Sequence, residues 1–303
     1  MERDGLKIAG GYILICLIWG STWLAIRIGL DSLTPLIAAG LRFVLASAFI
    51  YSFMRIKKVA LQTDRASIRI YLVMSLFSFA IPFWLVYWAE QFISSGLASV
   101  LFAVFPFYVI LFSKIMIPRE EIDVYTITGS VLAFFGIIII FWDELDINFS
   151  KDMLGMLALV FAAGMQAFIA VMIKKYGKHL NPLAMNFPPF LIAGIILVIA
   201  ALFLEDSTHW RFDSRAIISI TFLAFFGSFV AFTTYFWLMK KMSVVIIALS
   251  SFITPIIAVI LGWFILDELF SFLKILGSAL VLIGLLFANF RGIYNYYRYR
   301  ISN

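Results

Sequence analysis

Apolar residues run through this chain in blocks of about twenty, and short polar breaks separate the blocks. The apolar windows fall at 8–28, 34–54, 69–88, 96–117, 124–142, 153–173, 183–204, 216–238, 243–265 and 271–290. At a rise of ~1.5 Å per residue, each can cross a hydrocarbon core of ~30 Å as a helix. Stretches such as Leu132 to Trp142 and Leu276 to Leu286 do not alternate in polarity, which argues against barrel strands. Backbone polar groups in lipid must bond within their own segment, so helices remain. The pattern predicts an all-α integral membrane protein with ten transmembrane helices.

Composition agrees. Of 303 residues, 64% are hydrophobic and 13% charged, with a mean hydropathy of +1.05, against about half apolar and about a quarter charged in a soluble domain. The single cysteine, Cys16, lies inside the first apolar run, so neither an internal disulfide framework nor a thiolate metal cluster is available. That run starts near Lys7 and could imitate a secretory signal. No small-residue cleavage site precedes Arg27, so the expectation is a retained first span.

A net charge of +6 could point to nucleic acid, and the placement of the cations decides against it. Seventeen Lys and Arg fall in the breaks on the N-terminal side, in groups such as Arg55, Lys57, Lys58, Arg65 and Arg69, or Lys174, Lys175 and Lys178. The opposite side has five, Arg27, Lys151, Arg211, Arg215 and Lys274, amid acidic residues such as Asp143, Glu144, Glu205 and Asp206. Cytoplasmic loops retain positive charge, so both termini are expected in the cytoplasm. The partners expected are the bilayer and a small-molecule substrate, with no nucleic acid, and the chain acting as a monomer or homodimer.

The strongest organising signal is a repeat. Pro106, Glu120, Gly129 and Gly136 are spaced by 14, 9 and 7; Pro255, Glu268, Gly277 and Gly284 by 13, 9 and 7. Both sets sit at matching places in a helix pair, so spans 4 and 5 correspond to spans 9 and 10. With five spans in each half, the second half enters the membrane from the opposite side, a 5+5 inverted repeat over 8–142 and 153–290.

Trp19-Gly20-Ser21-Thr22-Trp23, Pro35 and Leu41-Arg42-Phe43 resemble the opening of an EamA-type domain of the drug/metabolite transporter superfamily, and the duplicated Pro-Glu-Gly series resembles its end. The likeness is thinnest in span 6, Ala162-Ala163-Gly164-Met165-Gln166, and in span 7, where Asn186 and Pro189 stand for Ala39 and Arg42. The resemblance implies an alternating-access carrier of an inner membrane, exporting amino acids or related metabolites. An importer of a sugar or nucleoside-like solute, or a multidrug exporter, is the alternative.

Ionisable groups inside spans are functional candidates by default. Arg42 lies about seven residues past Pro35, ~10 Å below the outer end of span 2 by helical rise. It offers a bidentate fork to a substrate carboxylate or phosphate, or serves as a structural arginine on helix-end carbonyls or lipid phosphate. No carboxylate falls at mid-span. Glu90 and Glu268, at outer helix ends, are gate candidates or solvated helix-end charges. Among uncharged polar residues, Thr22, Ser99, Ser251 and above all Gln166 and Asn186 are substrate candidates, with interhelical hydrogen bonding as their plainer role.

Pro82, Phe83, Trp84, Tyr87 and Trp88 in span 3 answer Phe232, Tyr235, Phe236 and Trp237 in span 8. These aromatic clusters, with Trp19, could wall a central cavity or form an interfacial belt; Tyr87 and Tyr235 are the stronger candidates because a phenol seeks a partner. Pro82, Pro106 and Pro255 each free a carbonyl four residues earlier and could hinge a gate or merely kink a helix. The paired glycines of spans 5 and 10 suit close packing, within the chain or in a dimer.

No GxxxxGK[ST], HExxH or GxSxG sequence occurs, and the two histidines, His179 and His209, lie near loops. No cofactor, metal or catalytic residue is therefore expected, and a carrier is favoured over a membrane enzyme or a channel.

Overall fold

The computed structural model describes residues 2–93, 95–117, 122–140, 142, 149–266, 272–288 and 290. All its regular structure is helical. The first half comprises α1 (Glu2–Leu30), α2 (Pro35–Lys57), α3 (Arg65–Met74), α4 (Ile81–Ala89), α5 (Ser95–Phe102), α6 (Phe105–Met116) and α7 (Val124–Ile140). The second comprises α8 (Phe149–Tyr176), α9 (Phe187–Leu204), α10 (Ser214–Phe222), α11 (Ala231–Met239), α12 (Val244–Ala248), α13 (Ser250–Leu266) and α14 (Phe272–Ala288).

Among the described residues, seven helical stretches are long and apolar enough to cross a membrane, and three shorter apolar helices, Val124–Ile140, Val244–Ala258 and Phe272–Ala288, accompany them. Several expected spans are internally broken. The third runs α3, a π-helical stretch Ser75–Ala80, then α4; the eighth runs α10, a π-helical stretch Leu223–Val230, then α11. Spans 4 and 9 are interrupted after α5 and α12.

The contacts of one half recur in the other. Helix α1 packs on α13 as α8 packs on α6, and α2 packs on Leu223–Val230 as α9 packs on Ser75–Ala80. Two pairs of counterpart helices also meet each other, α2 with α9 and α7 with α14. Both cross antiparallel. In the first, Gly40 faces Val198 while Gly194 faces Val44. In the second, a Cβ on Gly129 would stand 2.3 Å from the Ala288 nitrogen, and one on Gly277 2.6 Å from the Gly136 oxygen. The paired glycines therefore join the two halves within one chain.

Polar contacts tie the halves together at opposite ends of α2. At its N-terminus the Glu205 carboxylate accepts from Leu36 N (2.7 Å), Ile37 N (3.1 Å) and Thr34 Oγ1 (2.6 Å), filling orphan donors of the first turn. Beside it Asp213 caps α10 and accepts from Ser32 Oγ at 2.8 Å. Near the other end Asp64 caps α3, and Ser67 Oγ, which donates to Asp64, lies 3.1 Å from His179 Nε2. The Ser67 hydroxyl holds the Asp64 carboxyl below its ordinary pKa, and the Ala216 amide followed by the Ser32 hydroxyl does so for Asp213. Large apolar side chains such as Ile199, Leu202 and Phe203 on α9 and Ile283 and Leu286 on α14 are exposed, as a lipid-facing surface requires.

Candidate functional site

The two halves enclose a central cavity of about 110 Å³, where a single water needs ~10–15 Å³ on the same measure. That is room for several waters or a small organic solute. Of the substrate candidates read from sequence, Trp19, Thr22, Arg42, Gln166, Tyr235 and Ser251 line it, and Phe83, Phe232 and Phe236 of the aromatic clusters join them.

Arg42 is the charged member of the lining and is almost wholly buried, at 1% exposure. Its position depends on an irregularity in the helix opposite. At the end of the π-helical stretch Leu223–Val230, Ala231 N–H bonds to Phe226 O, not to Gly227 O as a regular α-turn would have it. The Gly227 carbonyl accepts instead from Arg42 Nη2 and from Trp19 Nε1, each at 3.4 Å. Arg42 Nε donates to Ser228 Oγ at 2.9 Å and Nη1 to Tyr87 Oη at 3.3 Å. The guanidinium carbon lies 4.9 Å from the centroid of the Phe83 ring, a cation–π contact. A Cβ at Gly227 would come within 3.0 Å of Thr22 Cγ2 and 3.3 Å of Arg42 Nη2, so α1 and α2 leave little room for a side chain there.

Aromatic rings form the walls. Trp19 packs on Phe232 at 5.4 Å and Tyr235 at 5.3 Å, and Phe83 of span 3 lies 6.2 Å from Phe232 of span 8. The facing-wall arrangement of spans 3 and 8 is therefore present, although Trp84 is exposed at the surface and Trp88 packs on Phe92. Phe43 and Phe190, the residues following Arg42 and its counterpart Pro189, stack at 5.1 Å with 12° between their planes. The symmetry of the halves is broken here: one partner contributes a cation, the other a proline.

The three prolines share a relation to the cavity. Pro82 and Pro106 occupy first-turn positions in α4 and α6, and Pro255 lies inside α13. Lacking N–H groups, they deprive Ser78, Phe102 and Ser251 of the usual α-helical partners of their carbonyls, and all three of those residues line the cavity. The Ser251 carbonyl accepts from Thr254 Oγ1 at 3.1 Å. Ser251 Oγ has no hydrogen-bond partner, and no protein hydrogen bond is formed by the Gln166 amide among the described residues.

Other expectations fall elsewhere. Ser99 is buried in α5 without lining the cavity. Asn186 precedes α9, where its Nδ2 donates to Pro182 O at 2.9 Å, a role in closing a helix start. Its Oδ1 is buried without a partner among the described residues, and it makes no side-chain cap to α9. Glu90 is buried at the end of α4, off the cavity lining, and its carbonyl accepts from Arg27 Nη1 at 2.8 Å. Glu268, like Glu120, lies outside the described residues. Sequence reading passed over Gly227 and Ser228, whose only signal is a small pair inside the aromatic run Phe225-Phe226-Gly227-Ser228-Phe229.

A second cavity, of about 260 Å³, adjoins the first at Ile173 and Phe236 and is lined by Lys174, Lys178 and Lys240. Lys174 Nζ donates to the carbonyls of Met239 (2.6 Å) and Met242 (2.7 Å), closing the end of α11.

The model of the EamA-like transporter family matches the chain twice, over residues 7–142 and 153–290. The chain belongs to the EamA-like transporter family. Among relatives of this EamA-like chain, the uncharacterized transporter YoaV of Bacillus subtilis is 26% identical over 94% of this chain and 97% of its own length. Protein PagO of Salmonella typhimurium is 29% identical over 82% and 81%. The uncharacterized inner membrane transporter YedA of Escherichia coli is 28% identical over 86% and 83%. A solved crystal structure shares the fold with a TM-score of 0.79, at 17% identity, over 93% of this chain and 98% of its own. The family is one of transporters rather than enzymes, and the chain is a multi-pass membrane protein.

Proposed function

We propose that this EamA-like protein is a secondary carrier that exports amino acids or related small metabolites across the inner membrane by alternating access. The observation that carries this is the central cavity, built from both halves, where Arg42, Gln166 and Ser251 present polar groups inside aromatic walls. A carrier must replace water around its solute, and such groups do so without opening a continuous aqueous pore. The antiparallel crossings of α2 with α9 and α7 with α14 support an inverted repeat of two five-span halves over 8–142 and 153–290. In this reading the three shorter apolar helices complete ten spans, and the loop cations keep both termini in the cytoplasm. The inner membrane is the location that YedA's name carries.

Flux into proteoliposomes tests the proposal, with labelled amino acids, sugars and cationic drugs, with and without a pH gradient. Saturable movement of amino acids that Gln166→Ala slows is expected. Failure to move any of these solutes would sink the carrier reading.

A further inference from the structure

A guanidinium has five N–H donors. Three hold Arg42 in place through Ser228 Oγ, Tyr87 Oη and Gly227 O, all neutral acceptors. That leaves one N–H on each terminal nitrogen, two donors for a carboxylate. Among the described residues no carboxylate lies within ion-pair distance of Arg42, and the cavity lining includes neither another cation nor any Asp or Glu. A buried positive charge with no carboxylate in contact among the described residues favours an anionic visitor over a neutral or cationic one.

We propose that Arg42 selects the charge of the solute: the cavity takes organic monocarboxylates with an apolar or aromatic substituent, and it does not require an amino group. This rests on the carrier reading and makes its substrate chemistry specific. One guanidinium matches one negative charge, whereas a phosphate dianion would call for more. The rings of Trp19, Phe83, Phe232 and Tyr235 supply flat apolar surface for the substituent. An ammonium would find no carboxylate in the lining, so its presence or absence is secondary.

The test is tryptophan-fluorescence titration of the full-length protein in nanodiscs with four matched probes: 3-phenylpropanoate, phenylalanine, 3-phenylpropanamide and phenethylamine. Both acids should bind, and the amide and amine should bind at least about tenfold more weakly. In Arg42→Gln the preference for acid over amide should vanish; Arg42→Lys, which keeps charge but not the fork, should retain part of it. The proposal is overturned if the wild type binds amide or amine as tightly as acid, or if monodisperse Arg42→Gln protein keeps the wild-type preference. If Arg42→Gln does not fold, the wild-type probe series decides alone. Parallel flux separates the two readings. Movement of sugars or amines but of neither acid leaves a carrier and removes this inference; Arg42-dependent acid binding with no flux of any solute does the reverse.

Discussion

Arg42 Nε and Ser228 Oγ meet at 2.9 Å although 186 positions separate them in the chain. The bond joins α2 of the first half to the π-helical stretch of the second, and it fixes the orientation of the guanidinium at the cavity. Ser228→Ala leaves a buried charged group short of an acceptor, and the expected cost is about 1.5–3 kcal/mol. A lower melting temperature in detergent, together with weaker solute binding, is the expected result. An unchanged melting curve would show that Ser228 does not hold the arginine.

The α7 and α14 backbones approach too closely for side chains at their crossing. Gly129→Ala would place a methyl 2.4 Å from the Gly284 oxygen, and Gly284→Ala would place one 2.5 Å from the Ala133 nitrogen. Each should destabilise by at least about 1–3 kcal/mol through overpacking. Gly164→Ala, whose new methyl meets Tyr108 at an ordinary 3.6 Å, should melt close to wild type. Equal melting temperatures for all three variants would contradict the crossing.

Gln166 and Ser251 reach the cavity without side-chain hydrogen-bond partners among the described residues. Gln166→Ala and Ser251→Ala should therefore leave stability within about 0.5 kcal/mol of wild type while raising the apparent KM for solute. A stability loss with unchanged transport would assign both residues to the scaffold.

Asp64 and Asp213 cap helices at opposite ends of α2, and each carboxyl is held below its ordinary pKa by its hydrogen bonds. The deprotonated caps contribute stability above the unfolded carboxylate value of about 3.9, and that contribution is lost as pH falls through the depressed folded values. The Asp64→Asn, Asp213→Asn double variant should melt below wild type at neutral pH and converge with it in acid. A gap that persists at low pH would show that the charges are not responsible.

How far the sequence reaches follows from where each property is encoded. Apolar blocks, the repeated Pro-Glu-Gly spacing and the loop cations are local or periodic, and they were enough for helical spans, the family and the candidacy of Arg42, because water and lipid act on composition wherever the chain runs. Six of the nine substrate candidates reach the cavity, and Tyr87 stands behind it on Arg42. Ser99 and Asn186 do not, because the sequence marks a polar side chain within an apolar span but not which surface that side chain meets.

Gly227 and Ser228 were silent for the same reason. Their role arises where Ala231 N–H bonds to Phe226 O and a carbonyl on α2's neighbour becomes free, a choice made by packing between distant helices. The sequence by itself determined that this chain is a membrane transporter with an arginine, Arg42, inside an apolar span. Only the tertiary structure decided what holds that arginine and what it faces, since long-range hydrogen bonds form between surfaces that no local pattern brings together.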